Sequence, residues 1–530
     1  MKQPDVGRGE LGEEEPSTKR TRHEENVARR IEMLERRLVE VNIGEDQFYH
    51  LDNVIDQDFV NAFESEDMEV DEKVAMDVNA MEKLWSDDAL TRVPQDPDPE
   101  VDRLADMVEL QRLQDMGVIK VLTAEDSGLS SLTTRMVYDW RIKEWKNPQT
   151  GETKRRWMRR ARLVAREYAN QRRDDVHSPA SGGQILRLLP AAYLMMLGVD
   201  GVDRDQLQIG SLDVKDAFLM ANQEQPVQIG TKNGKFKVLK NLPGQRMAAK
   251  AWYEYIATVL EKKGIKFSKE NPCLGKRGDR LFILLHVDDM MVCGFKDEIQ
   301  KLISELKAEF VISHKIAQFV GDEFEFLKRT YKLTEDGMDV IPGHYAETMI
   351  KAFEEKYGQV KQQQVPCGDE AQEISNSMLL PGDEASLFRS LVGSGIYLSQ
   401  ERIELGYVIK QLASGMSSPT YGHLQVMKKL IGYLKSTVGN YNHLELPSYG
   451  KGIHHHYDSK WVLESFTDSD WSGERMTRRS TSSSVHCLNG IILCHSSRGQ
   501  KVVSLYLLKQ NFLDLEEPLM EQLYEFASGS

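Results

Sequence analysis

The stretch that most constrains this chain is His286-Val287-Asp288-Asp289, which closes the apolar run Leu281–Leu285 and leads straight into Met290-Met291-Val292. Apolar residues on both sides of two adjacent carboxylates predict a β-hairpin that pushes two acids out of a buried sheet. About 70 residues upstream, Ser211-Leu212-Asp213-Val214-Lys215-Asp216-Ala217-Phe218 places another acid at the end of a strand-like segment. Acids from two such strand ends, brought together, can hold a pair of divalent metals, the apparatus of nucleotidyl transfer.

At 530 residues the chain is long enough for three or four domains and a large core. Its 40% hydrophobic and 28% charged content is ordinary for a water-soluble fold. No apolar run approaches the roughly 18–20 residues that span a bilayer. Met1-Lys2-Gln3-Pro4 begins no signal-peptide core. Cys273, Cys293, Cys367, Cys487 and Cys494 show no C-x-x-C spacing, which argues against a zinc knuckle or disulfide framework and for a reducing compartment. An intracellular setting, in the cytoplasm or the nucleus, and no membrane partner are therefore expected.

A net charge of −15 argues against nucleic acid until it is located along the chain. Residues 1–100 hold 12 Lys+Arg against 28 Asp+Glu, a balance of −16, so 101–530 stands at +1. Within that remainder 141–170 carries 10 basic and 3 acidic residues. The run Lys154-Arg155-Arg156-Trp157-Met158-Arg159-Arg160-Ala161-Arg162-Leu163-Val164-Ala165-Arg166 can track a phosphate backbone, although a solvated face would read the same way.

Composition shifts divide the chain. Residues 1–75 are acidic and polar, so disorder is expected around one helix at Glu24–Val41. Lys19-Arg20-Thr21-Arg22 is a short basic patch that reads as solvated charge more readily than as an import signal. A helical leading segment is expected over 76–131, with helices at Met81–Leu90 and Val101–Gly117 interrupted by Pro94, Pro97 and Pro99. From Leu132 the pattern becomes mixed. Strands are expected at Met136–Trp140, Ala161–Ala165, Gly210–Asp213, Leu281–Val287 and Asp289–Cys293, and helices at Gln184–Met196, Ala248–Lys263 and Lys296–Phe310. A last α/β module begins near Leu463, after a surface run His454-His455-His456 whose spacing does not suit a metal.

Several blocks in order carry a resemblance. Arg162-Leu163-Val164-Ala165-Arg166, Leu212-Asp213-Val214-Lys215-Asp216-Ala217-Phe218-Leu219, Leu242-Pro243-Gly244 with Lys250-Ala251-Trp252-Tyr253, and His286-Val287-Asp288-Asp289 come first. Phe388-Arg389-Ser390-Leu391-Val392-Gly393-Ser394, Tyr433-Leu434-Lys435-Ser436-Thr437 and Thr467-Asp468-Ser469-Asp470-Trp471-Ser472-Gly473 follow. Together, residues 132–510 resemble the reverse transcriptase–RNase H portion of copia-type LTR retrotransposon Pol polyproteins.

That resemblance implies an α+β right-hand polymerase. Fingers and a ferredoxin-like palm would occupy 132–335, a helical thumb and connection 336–460, and a truncated RNase H-like α/β module 461–530. It implies RNA-directed DNA synthesis from deoxynucleoside triphosphates on an RNA template and a DNA primer, with two Mg2+ ions for which Mn2+ can substitute. Asp213 and Asp288 would bridge the metals, with Asp289 beside them and the Val214 carbonyl as a further ligand. Arg162 and Arg166 would clamp the triphosphate, and Asp216 and Ala217 would line the nucleotide site. Phe218 would exclude a ribose 2′-hydroxyl, unless it is simply a core aromatic.

The departures define an alternative, a catalytically inactive remnant that keeps nucleic-acid binding. His286 replaces the family's tyrosine; Met247 stands where its glutamine meets the nucleotide, and Ala249 replaces a proline. Gln245 could substitute only if its loop shifts by two residues. Asp468 matches the first RNase H acid, but after Lys501-Val502-Val503-Ser504-Leu505 a lysine, Lys509, falls where the second acid belongs, and neither Glu516 nor Glu517 has supporting spacing. A frameshift or altered splice after Leu505 would account for this, and RNase H activity is expected to be absent. The family's upstream zinc knuckle, protease and integrase find no counterpart, and Asp126-Ser127-Gly128 is a chance match to a protease triplet.

Overall fold

The computed structural model describes residues 82–500, apart from 91, 96–98, 147–151, 168–177, 180, 182–184, 200, 369–370, 372–373, 375–376, 447–461 and 471–477. The expected helix Glu24–Val41, the patch Lys19–Arg22, the triple histidine and the residues after Leu505 lie outside the described residues. Those that are described divide into two compact units, each discontinuous in sequence. One takes 82–181 and 205–316, the other 185–204 and 317–500.

In the first unit, β1 (Trp85–Ser86), α1 (Pro99–Asp115), β2 (Ile119–Val121) and the long strands β3 (Thr134–Lys146) and β4 (Thr153–Ala165) come first. The basic run is therefore a strand. β3 and β4 pair antiparallel along all 13 residues of each, from Thr134↔Ala165 to Lys146↔Thr153. Leu163 and Ala165 bury one end of β4 against Leu110 and Leu113 of α1. Opposite the expectation of a helix over Met81–Leu90, Trp85 and Ser86 add a third strand on the free edge of β4, opposite Met158 and Trp157. Leu84, fully buried beside Ala105 and Ala161, fixes it there.

β5 (Leu207–Val214) leads to the hairpin β6 (Asn222–Thr231) and β7 (Gly234–Lys240), which β2 joins in the order β2-β7-β6. After α2 (Ala248–Lys262) come β8 (Lys266–Phe267), β9 (Leu274–Arg277), β10 (Leu281–His286), β11 (Asp289–Phe295), α3 (Lys296–Lys307) and β12 (Ile312–Ala317). Their six-stranded sheet runs β12-β5-β11-β10-β9-β8. β10 and β11 are almost wholly buried, Leu281 to Leu285 and Met290 to Cys293 without a break. Such a pair reads as a continuous apolar run because both its faces are covered. α3 buries Ile299, Leu302, Ile303 and Leu306, the spacing of one helical face.

The second unit begins with the buried helix Leu188–Leu197 and the sheet β13 (Glu323–Phe326), β14 (Arg329–Leu333), β15 (Gly337–Pro342) and β16 (Asn442–Glu445), paired in that order. Between β15 and β16 lie α4 (Tyr345–Tyr357), α5 (Gly382–Ser399), α6 (Gly406–Ser414) and α7 (Tyr421–Ser436), packed round Phe353, Phe388, Leu391, Leu412 and Leu430. An ionic knot sits inside this unit. Glu401 takes Arg329 Nε at 2.6 Å and Arg187 Nη2 at 3.0 Å, all three buried, and Arg329 also donates to Tyr397 and Gln400. Charges this deep persist only when paired and hydrogen-bonded. The expected α/β module beyond Leu463 is, among the described residues, an antiparallel meander of β17 (Leu463–Ser469), β18 (Thr481–Leu488) and β19 (Ile491–Gly499) with no helix.

Gly210 marks the tightest approach in the central sheet. A Cβ there would stand 2.3 Å from the Lys315 carbonyl oxygen and 2.8 Å from the Ile316 Cα. Gly210→Ala is therefore expected to cost roughly 1–3 kcal/mol through forced displacement of β12 from β5. Urea unfolding checks this: a lowered midpoint with unchanged slope is the expected result, and an unchanged midpoint would contradict it.

Candidate nucleotidyl-transfer site

The acids converge through strand register. β11 pairs antiparallel with β5, and Asp289 lies directly opposite Asp213. His286 pairs with Asp289, so Val287 and Asp288 form the two-residue turn of the β10–β11 hairpin. The Val214 N–H donates to the Asp288 carbonyl at 3.2 Å, which ties the turn to the end of β5. Asp213, Asp288 and Asp289, foreseen as one set, stand together at one end of a buried sheet.

The turn is strained. Val287 has φ +57°, in the left-handed region where a branched Cβ is crowded. The indole of Trp252, fully buried in α2, donates to the Val287 carbonyl at 2.7 Å and holds the turn in place. Sequence reading gave Trp252 no role beyond a family block, because its partner lies 35 residues away on another element. Beside the turn, His286 Nδ1 is 2.7 Å from Ser181 Oγ.

Electrostatics set these acids apart from surface carboxylates. Burial first, then the neighbouring Asp289 and Asp213, pushes the Asp288 carboxyl well above its ordinary range. Burial, with Asp213 opposite, pushes Asp289 up to about 7. Ser313 donates to Asp213 Oδ2 at 3.3 Å, whereas Asp288 Oδ1 is enclosed without a hydrogen-bond partner. Desolvated like charges at one point repel unless a cation joins them. As the side chains stand, no group of three or more His, Cys, Asp or Glu among the described residues is arranged round a metal position. The donor chemistry nonetheless fits a hard divalent cation: oxygen ligands only, desolvated, with one acceptor oxygen left open.

The other expected residues surround this point unevenly. Arg162, half-buried on β4, feels the charges of Asp216 and Asp288, and burial lowers its pKa. Arg166 is exposed just past the end of β4, and its N–H donates to the Thr133 carbonyl at 2.8 Å. Asp216 has φ +57°, and its carboxylate is taken by Arg112 of α1 at 2.7 Å. Arg112, which also pairs with Glu109 at 2.8 Å, was not foreseen, since nothing in the sequence links it to a residue 104 positions on. Ala217 and Phe218 open a short helical turn, Ala217–Met220, with Ala217 buried and Phe218 half-buried. Gly244, at φ +84°, lets the Leu-Pro-Gly turn approach the Ala165 carbonyl, where a Cβ would stand at 2.4 Å. Gln245 is committed to that turn: its Oε1 accepts from the Leu242 N–H at 2.6 Å and from Gln223 at 3.1 Å. Met247 immediately precedes α2.

Away from this centre, Asp126 is a structural acid, bound to Lys237 at 2.8 Å and to Thr123, and held down to about 2 chiefly by Lys237. Asp468 lies exposed on β17 opposite Ser483. No described helix is long and apolar enough to cross a membrane.

The chain resembles known proteins over much of its length. Residues 130–360 match the family described as reverse transcriptase (RNA-dependent DNA polymerase). The Pol polyprotein from transposon TNT 1-94 of Nicotiana tabacum is 22% identical over 392 residues, 69% of this chain. That from transposon RE1 of Arabidopsis thaliana is 26% identical over 363 residues, 65% of this chain. The chain spans 27% and 23% of those two polyproteins. An uncharacterized mitochondrial protein of Arabidopsis thaliana is 26% identical over 253 residues, 47% of this chain and 96% of its own length.

The raised acids make a stability prediction. A carboxyl whose folded pKa is about 7, against an unfolded value near 3.8, binds its proton more tightly in the native state. Its contribution therefore weakens the fold as pH rises through about 7, and the cost is absent below the unfolded value. In chelator, Asp289→Asn should raise the melting temperature at pH 8 and do so less at pH 5. A variant equally or less stable than the parent at pH 8 would contradict a desolvated acid at this position.

Proposed function

We propose that this chain, whose residues 130–360 match the reverse transcriptase family and which is similar to retrotransposon Pol polyproteins, synthesises DNA on an RNA template by two-metal nucleotidyl transfer. The observation that carries this reading is the register that sets Asp213 against Asp289, with Asp288 in the turn between strands. Its substrates are deoxynucleoside triphosphates, and its partners an RNA template and a DNA primer.

Asp213 and Asp288 are the residues to hold divalent cations, Mg2+ with Mn2+ as substitute, with Asp289 and the Val214 carbonyl beside them. Bound there, such ions lower the charge on an attacking 3′-oxygen and on the leaving pyrophosphate. The chain's own groups do the rest. Arg162 and Arg166 draw the triphosphate toward the acids, with Arg162 already within reach of their field. Asp216, fixed by Arg112, sets the turn that presents Ala217 and the Phe218 ring to the sugar. A ring at that place selects against a 2′-hydroxyl by bulk alone. Gln245 is spoken for, so no side-chain amide in this block replaces the contact that Met247 lacks. Residues 132–335 would then supply fingers and palm, 336–460 thumb and connection, and 461–530 an RNase H-like part that does not cut, since Asp468 stands exposed on β17 and Lys509 falls where a second acid belongs.

A second reading, a nucleic-acid-binding remnant without turnover, is favoured by the loss of that amide contact and by His286. Primer extension on poly(rA)/oligo(dT) separates the two. Extension by the parent and none by Asp288→Asn is the expected result; no extension by a folded parent supports the remnant. A companion RNA–DNA hybrid assay should show no Mg2+-dependent cutting by either.

A further inference from the structure

The end of the β3–β4 hairpin remote from Ala165 carries a second set of groups suited to nucleic acid, and that set is already filled. Cross-strand register puts Trp145 opposite Lys154 and Lys143 opposite Arg156. The Lys154 ammonium and the Arg156 guanidinium lie over the Trp145 ring, 5.2 and 4.6 Å from its centre. Cations interleaved with an indole are what a single strand requires: charge for phosphates, and a ring for a base. Carboxylates occupy these positions instead. Glu82 accepts from Trp145 Nε1 at 3.0 Å and pairs with Arg156 Nη1. Asp87 takes Arg156 Nε at 2.8 Å and Lys154 Nζ at 3.1 Å.

The two acids flank β1, the strand added to the edge of β4. Its backbone is fixed: Leu84 is fully buried, and its carbonyl accepts from the Arg159 N–H at 2.8 Å. The side chains are not. Glu82 and Asp87 remain 46% and 63% exposed, and Lys154 47%. Asp87 with Lys154 is an exposed ion pair, weak and screened by salt, whereas the Arg156 guanidinium is buried beneath both carboxylates at 6% exposure and is uncovered only when they move aside. A polyanion that reaches this tip meets carboxylates it can outcompete on a strand that stays in place.

We propose that Glu82 and Asp87 are built-in phosphate mimics that gate nucleic-acid binding at the hairpin tip, so that a single strand reaches Arg156, Lys154 and Trp145 by displacing them. This rests on the proposed nucleic-acid function and adds an intramolecular competitor to it. The gate lowers affinity for stray polyanions and leaves the ionic grip to strands that also engage the acid site.

The test uses the full chain and a short fluorescently labelled single-stranded RNA, followed by anisotropy across a salt series. Glu82→Gln with Asp87→Asn should bind roughly threefold to tenfold tighter than the parent at low salt, with a steeper salt dependence as more phosphates find cations. Adding Lys154→Gln together with Arg156→Gln should remove most of that gain, and the double acid variant should melt somewhat lower than the parent, since buried Arg156 loses its charged partners while Leu84 still anchors β1. Unchanged or weaker binding by the double variant, beside a parent that binds, overturns the gate and leaves the acids as staples. A gain that survives Lys154→Gln with Arg156→Gln overturns it too. A parent and variants that all fail to bind would sink the nucleic-acid reading along with the gate.

Discussion

Three carboxylates at one end of a buried sheet repel one another, and the rest of the first unit is arranged so that they stay there. The antiparallel pairing of β5 with β11 sets Asp213 opposite Asp289. The unbroken apolar burial of β10 and β11 keeps that register from slipping, since a one-residue shift would expose a core face. Val287 carries the backbone strain, and Trp252 holds the turn through its carbonyl. Stability is given up at this point: Asp288 is pushed up by burial and by Asp289 and Asp213, Asp289 by burial and Asp213, and Asp288 Oδ1 is left without a protein partner. Unmet demand of that kind at a strand end is what a cation-binding site costs a metal-free fold.

Around the acids the chain distributes positive charge by strand geometry. The basic run that the sequence shows as a block becomes β4, whose successive residues alternate between faces. Arg159 and Arg162 thereby acquire different tasks. Arg159 turns toward α1 and pairs with Asp102 at 2.7 Å, while Arg162 lies within the field of Asp216 and Asp288. At the other end Arg156 is enclosed between the Trp145 ring and the acids flanking β1. One ribbon therefore joins the acid cluster to an end whose charge is covered by carboxylates.

The convergence of Asp213, Asp288 and Asp289 was legible because each sits at a strand end or turn bounded by apolar residues, a local signal. The basic strand and the long helices α2 and α3 were legible for the same reason. What escaped has its cause in distant partners. Met81, Leu84 and Trp85 stand at the i, i+3, i+4 spacing of a helical face, yet the edge of β4 recruits Trp85 and Ser86 as a strand, and tertiary pairing overrides the local pattern. The knot of Arg187, Glu401 and Arg329 joins residues 214 and 72 positions apart, which no motif announces. Arg112 and Trp252 act through a side chain and a backbone carbonyl on other elements, so nothing in the sequence announces what either one holds. In the last module an α/β pattern was expected, whereas β18 pairs antiparallel with β17 and β19 in a meander.

Asp213 and Asp288 are proposed to hold divalent cations where a nucleotide is added. Anomalous diffraction from crystals of the full chain with Mn2+, an RNA–DNA primer–template and a non-hydrolysable deoxynucleoside triphosphate tests it at the atoms concerned. The account predicts manganese peaks within ligand distance of Asp213 and Asp288, about 2.0–2.3 Å from their oxygens. Ordered nucleotide and primer with no manganese at these carboxylates would contradict it.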